Sequence, residues 1–212
     1  MLLPACTATL PAIPGFPCDS FELAAAVVGA ISVWLSVRES VWSWPTGIVN
    51  VVMYVWVFLC ARLYADMGLQ VIYAAISVYG WWHWLHGGVQ RSELAVSRMP
   101  SSYRVPLAIG TVVGAALLGA LLHRTTDASL PWADASLTAA SLAAQWMLSR
   151  KYLENWVVWI AADVAYVAMF AYKRLWCTAM LYAVFLVLAV AGWRAWRRSL
   201  AGARDAAGAA HA

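Results

Sequence analysis

Charge is what this chain has least of. Only 11% of its 212 residues are Asp, Glu, Lys or Arg, and 64% are hydrophobic, whereas ordinary soluble domains carry about a quarter charged residues. That deficit excludes a water-soluble globular domain. Strand-period alternation is also missing, which argues against a barrel whose residues face lipid and lumen in turn. No HExxH, GxSxG or phosphate loop occurs, and no Cys/His spacing matches a metal-ligand set, so an enzyme is the less expected class and no metal or cofactor is expected. The four cysteines say little. Cys6 and Cys18 share an amino-terminal leader and could pair in an oxidising compartment, while Cys60 and Cys177 fall at membrane depth or near an interface.

What remains is an all-α integral membrane protein. Apolar stretches of about 17 to 20 residues recur along the chain, each long enough as a helix to cross roughly 30 Å of hydrocarbon. Seven spans are expected, at 21–37, 44–61, 67–85, 105–122, 133–149, 156–172 and 177–195. Residues 1–20, broken by Pro4, Pro11, Pro14 and Pro17, form an irregular leader, and residues 197–212 form a tail expected to be disordered. One side of the membrane receives Arg62, Arg124, Lys173 and Arg174; the other receives Arg38, Arg91, Arg98, Arg104, Arg150, Lys151, Arg194, Arg197, Arg198 and Arg204. The positive-inside rule then puts the carboxyl terminus in the cytoplasm and the amino terminus outside. This distribution also accounts for the net charge of +4 without nucleic acid.

The chain matches itself. Shifted by 112 positions, Trp34–Trp84 lies on Trp146–Trp196 without a gap, with 15 of 51 positions identical, where this biased composition would give roughly four by chance. Trp34, Arg38, Trp44, Tyr54, Phe58 and Arg62 fall on Trp146, Arg150, Trp156, Tyr166, Phe170 and Arg174. Each copy holds three spans, 21–86 and 133–196, and the segment 87–124 contributes one more. After three crossings the chain is on the wrong side, so one linker helix is needed for the second copy to begin as the first did. Two parallel three-helix repeats joined in a three-one-three plan are therefore expected. Parallel repeats with a site at their interface are a transporter design; a duplication kept only for packing is the alternative.

In the sixth span Trp156, Trp159, Asp163, Tyr166 and Phe170 follow at three- or four-residue steps and so share one helix face. Asp163 lies about 10 Å along the helix from Trp156. A carboxylate at such depth costs a few kcal/mol and should face a cavity, the bundle interior or a partner. It could equally be protonated or bonded to a neighbouring helix for assembly. The second span repeats the stripe as Trp44, Gly47, Tyr54 and Phe58, with Asn50 one position out of register with Asp163. Gly47 leaves room for a ligand, or serves a kink or close packing beside Pro45. Gln145 and Gln70 can each donate and accept hydrogen bonds, and Gln70, close to an interface, is more simply a link between helices. Trp42, Trp84, Trp132 and Trp196 are expected in an interfacial belt, and Gly110 with Gly114 forms a weak small-xxx-small contact signal. Stacked aromatic rings near an acid suit a planar polar solute, all the more a cationic one.

The pattern W-x-x-W-x-x-x-D at Trp156, Trp159 and Asp163, the earlier "WSWPTGIVN" and the doubled layout resemble the PnuC family of nicotinamide riboside transporters over about residues 21–197. The first copy departs from the pattern at Gly47 and in the shifted Asn50. The resemblance implies a three-one-three fold like that of SWEET sugar transporters, a homotrimer in the bacterial inner membrane, and facilitated diffusion with the solute trapped inside by a cytoplasmic kinase. It implies that a pyridinium meets Trp156 and Trp159, and that carboxamide and ribose meet Asn50, Gln145 and Asp163, with Trp44, Tyr54 and Tyr166 completing the site. Relatives that carry thiamine or riboflavin leave another vitamin open, as does a sugar; a membrane enzyme or an assembly scaffold would be a different class altogether.

Overall fold

The computed structural model describes residues 20–60, 64–126, 130–172, 174 and 176–209. Within them are seven α-helices and no strand: α1 (Ser20–Val37), α2 (Ser43–Cys60), α3 (Tyr64–His86), α4 (Ser101–Thr125), α5 (Pro131–Ser149), α6 (Asn155–Tyr172) and α7 (Trp176–Ala209). The seven expected spans coincide with these helices. The leader and its cysteines Cys6 and Cys18 lie outside the described residues. The tail departs from expectation: α7 runs on to Ala209, because "SLAGARDAAGA" is rich in alanine, the best helix former, and no proline interrupts a helix already nucleated upstream. Three segments, Ser101–Thr125, Asn155–Tyr172 and Ala179–Ala203, are long and apolar enough to cross a membrane by length and composition alone.

Packing closes six helices into a ring. α2 lies between α1 and α3, α6 lies between α5 and α7, and the two trios meet where α1 touches α7 and α3 touches α5. α4 packs on α5 outside the ring. Its Val105, Ile109, Val112, Leu117 and Leu121 are exposed, as suits a helix solvated by lipid tails. Gly110 and Gly114 meet no other side chain within 4 Å, so their small-residue signal corresponds to no contact within the chain.

The 112-residue offset recurs in the backbone. α1 and α5 both end in a Schellman motif: Ser40 N–H donates to Leu35 O at 3.0 Å and Glu39 N–H to Ser36 O at 3.0 Å, while Tyr152 N–H donates to Met147 O at 3.0 Å and Lys151 N–H to Leu148 O at 2.9 Å. The same holds where α2 and α6 begin, with Ser43 N–H to Ser40 O matched by Asn155 N–H to Tyr152 O. One difference follows. The loop after α3 lies along the corner between α5 and α6, with Ser97 N–H donating to Lys151 O and Leu153 N–H to Ser97 O and Met99 N–H donating to Glu154 Oε2 at 2.9 Å.

The core sits at the basic end of the ring. Trp44, Trp84, Trp156 and Trp196 form one buried cluster with Val96, Leu148, Leu153 and Ala189. Trp84 and Trp196 are fully buried, which corrects their placement in an interfacial belt; Trp42 and Trp132 are exposed as a belt requires. The reason is local. Each ring supports its partner edge to face, Trp44 on Trp84 at 5.3 Å and Trp156 on Trp196 at 5.3 Å, and a side chain at Gly80 or Gly192 would occupy the space taken by the Trp44 or Trp156 indole.

Candidate functional site

Between the trios lies a cavity of about 940 Å³, within the usual range of about 300–1,000 Å³ for small-molecule sites. All eight residues singled out for binding line it: Trp44, Asn50, Tyr54, Gln145, Trp156, Trp159, Asp163 and Tyr166. Gln70 and Gly47 line it as well.

The floor is the tryptophan cluster. Trp84 Nε1–H donates to Leu148 O at 3.0 Å and Trp196 Nε1–H to Ser36 O at 3.0 Å; each bond crosses between the trios, and the two are related by the 112 offset. The indoles above them differ. Trp44 and Trp156 are 3% and 2% exposed, and among the described residues neither Nε1–H has a hydrogen-bond partner. Ser43 Oγ and Asn155 Oδ1, at the adjacent equivalent positions, are unpartnered too. An orphaned buried donor costs about 1–3 kcal/mol, and here two of them, Trp44 and Trp156, line the space a solute would enter. They sit where α2 and α6 begin, so the positive ends of two helix dipoles reach the same floor.

The walls are unequal. On α2, Asn50 Nδ2 donates to Ala25 O at 2.6 Å, so one amide hydrogen is spent tying α2 to α1. A Cβ on Gly47 would come within 3.0 Å of Ser32 Oγ, itself donating to Ser43 O at 2.7 Å. Gly47 therefore serves close packing of α1 on α2 at the cavity edge. On α6, Asp163 is 3% exposed and has no ion-pair partner among the described residues. Above it stands an aromatic stack the sequence reading missed in part: Tyr182 lies 4.5 Å from Tyr166 and 5.2 Å from Phe170, both nearly parallel, with Phe185 edge-on to Tyr182 at 5.9 Å. Ser141 of α5 lines the cavity together with Tyr73 of α3 and Tyr166 of α6. Tyr182 and Phe185 fall on Gln70 and Tyr73 at the 112 offset, a correspondence that could have found them.

Among the described residues of the lining, Asp163 is the only carboxylic acid, and none is Lys, Arg or His. Aromatic faces, one carboxylate and uncommitted N–H donors together favour a planar solute that is cationic at one place and offers hydrogen-bond acceptors at another.

Comparison with known proteins places the chain among membrane transporters. Residues 19–198 match the family model described as nicotinamide mononucleotide transporter. The nicotinamide riboside transporter PnuC of Escherichia coli (strain K12) is 23% identical over 210 residues, covering 87% of this chain and 88% of that one. The riboflavin/roseoflavin transporter RibM of Streptomyces davaonensis is 24% identical over 181 residues, covering 82% and 83%. The crystal structure of the vitamin B3 transporter PnuC superposes with a TM-score of 0.67 at 21% identity, over 84% of this chain and 80% of that chain, and supports the fold.

Proposed function

Because this chain belongs to the nicotinamide mononucleotide transporter family and is a multi-pass membrane transporter rather than an enzyme, we propose that it carries nicotinamide riboside by facilitated diffusion. The observation that carries this reading is the chemistry of the cavity: one carboxyl group and no basic side chain among its described lining residues. A riboside presents a pyridinium and neutral hydroxyls. A mononucleotide adds a phosphate, which such a lining would leave without a counter-charge.

In this reading the pyridinium stacks against Trp159 and Tyr166 with Asp163 supplying the opposite charge, while Trp44, Trp156, Asn50, Gln145 and Tyr54 meet ribose and carboxamide. The two trios are parallel repeats around a linker helix and rock about the site to expose it to each side in turn; the matched Schellman ends and crossed tryptophan bonds support that equivalence. The single buried acid and the lack of an evident sodium site in the sequence support uniport, with a cytoplasmic kinase trapping the solute. We place the basic face in the cytoplasm of a bacterium, with the chain in the inner membrane as a homotrimer. Riboflavin is the second reading, favoured by the depth of aromatic stacking at Tyr166, Tyr182 and Phe170.

Purified chain in liposomes should show saturable uptake and counterflow of radiolabelled nicotinamide riboside with no ion gradient, competed weakly by the mononucleotide, thiamine and riboflavin. Riboflavin outcompeting the riboside would reverse the ranking. Dependence on a proton or sodium gradient would refute uniport.

A further inference from the structure

A pair of charges sits against the tryptophan cluster at the basic end of the ring. Glu39 and Lys151 hold the same place in the two trios, 112 residues apart, each at the C′ position of the Schellman motif that ends α1 or α5. Both have left-handed backbones, with φ of 57° and 50°, at a position where glycine is usual because a side chain there is strained. Neither helix end is capped with glycine; instead the two residues face each other. Lys151 Nζ lies 3.9 Å from Glu39 Oε2, with the lysine side chain 6% exposed and the glutamate 27%.

The ammonium also lies 4.4 Å from the centre of the Trp84 ring, the indole that donates across the trios to Leu148 O and supports Trp44 in the floor. Lys151 is held from behind as well, its carbonyl accepting from Ser97 N–H. Burial draws its pKa below the usual lysine value, and Glu39 and Glu93 oppose that shift. To open the floor, α3 must part from α5 and α1 from α7, which separates Trp84 from Leu148, Trp196 from Ser36, and Glu39 from Lys151.

We propose that Glu39 and Lys151 form a charge latch, seated on Trp84, that holds the cavity shut on the basic face and must break in each transport cycle. This rests on the chain being a transporter and is independent of which solute it carries. The attraction between the two is present only while the floor is closed, so neutralising either member removes the same closed-state contact and favours the state in which the floor is open.

The test is accessibility. Ser36→Cys places a thiol at the floor, and a membrane-impermeant maleimide is applied to the basic side of oriented vesicles, with labelling counted above that of the parent chain. Glu39→Gln and Lys151→Met should each raise the labelling rate roughly fivefold, and the double variant should rise no further than either single, since the two act through one contact. Lys151→Arg, which keeps both the charge and the ring contact, should label at the parent rate. Unchanged labelling in both single variants, or full multiplication of their effects in the double, would overturn the latch. Nicotinamide riboside failing to be transported would leave these rates as they are, so failure of the substrate reading is distinguishable from failure of the latch.

Discussion

Replacing Asp163 with asparagine removes one charge from the cavity and almost no volume. The carboxylate is 3% exposed and lines the same space as Trp159 and Tyr166, so a pyridinium stacked there lies within a few ångströms of it. Two opposite charges about 6 Å apart, at an effective dielectric of about 20, gain about 3 kcal/mol. Losing most of that should weaken binding of the riboside by roughly 30- to 150-fold in Kd. Calorimetry on the purified chain reads the change directly, and a chemical control is at hand: the reduced, dihydropyridine form of the riboside has nearly the same shape and no charge. Asp163→Asn should cost the neutral form less than about fivefold, because only a hydrogen bond changes. The variant should melt no lower than the parent, since a carboxylate without an ion-pair partner among the described residues is costly to keep in a membrane interior. Equal losses for the charged and neutral ligands would mean that Asp163 acts by shape or hydrogen bonding, and the electrostatic reasoning would be wrong.

Trp44→Phe and Trp156→Phe keep an aromatic ring but delete the unpartnered N–H donors, and each should weaken riboside binding about threefold to tenfold while also lowering the melting temperature, because the smaller ring leaves a void in the buried cluster; unchanged affinity in both would remove these donors from the site. Gly192→Ala puts a Cβ 2.6 Å from Trp156 Cε2 and should destabilise the chain by about 1–3 kcal/mol, whereas Gly110→Ala, where nothing lies within 4 Å, should leave the melting temperature unchanged. Lys151 has a folded pKa below its usual 10.5, through burial, so the unfolded chain binds more protons in the interval between the two values and stability rises with pH across it. Lys151→Met should flatten that rise in melting temperature below pH 10.5; an equally steep rise in the variant would assign it to another group.

The helices were legible because lipid demands long apolar runs, and six of the eight cavity-lining candidates because a three- and four-residue stripe fixes a helix face whatever surrounds it; Asn50 and Gln145 were found as polar residues within apolar spans. The offset of 112 carried further than the stripe, since it pairs Trp84 with Trp196 and Gly80 with Gly192 before any contact is known. Other features were not legible. Trp84 and Trp196 looked like belt residues because their distance from the span centre is visible in sequence, while the glycine hollows that admit the rings above them depend on crossing distances between helices. Asn50 looked free to bind, but its bond to Ala25 O joins residues 25 apart and no periodicity reports such a partner. Ser141, Tyr73 and Tyr166 line one cavity from three helices whose order around the ring the sequence does not state.

Each trio gives one indole N–H and accepts one at a carbonyl, so the two crossed bonds alone are self-complementary: two identical three-helix chains could make both across a two-fold axis. The charge pair could not arise that way. In two identical copies the residue at this corner would face itself, glutamate against glutamate or lysine against lysine, and the like charges would drive the floor apart. Joining both copies in a single polypeptide lets the two corners diverge independently, and only then can one carry the acid and the other the base. The fusion of two copies into one chain thus makes possible a contact that symmetry forbids, and the same freedom lets Asp163 stand where the other half has Val51.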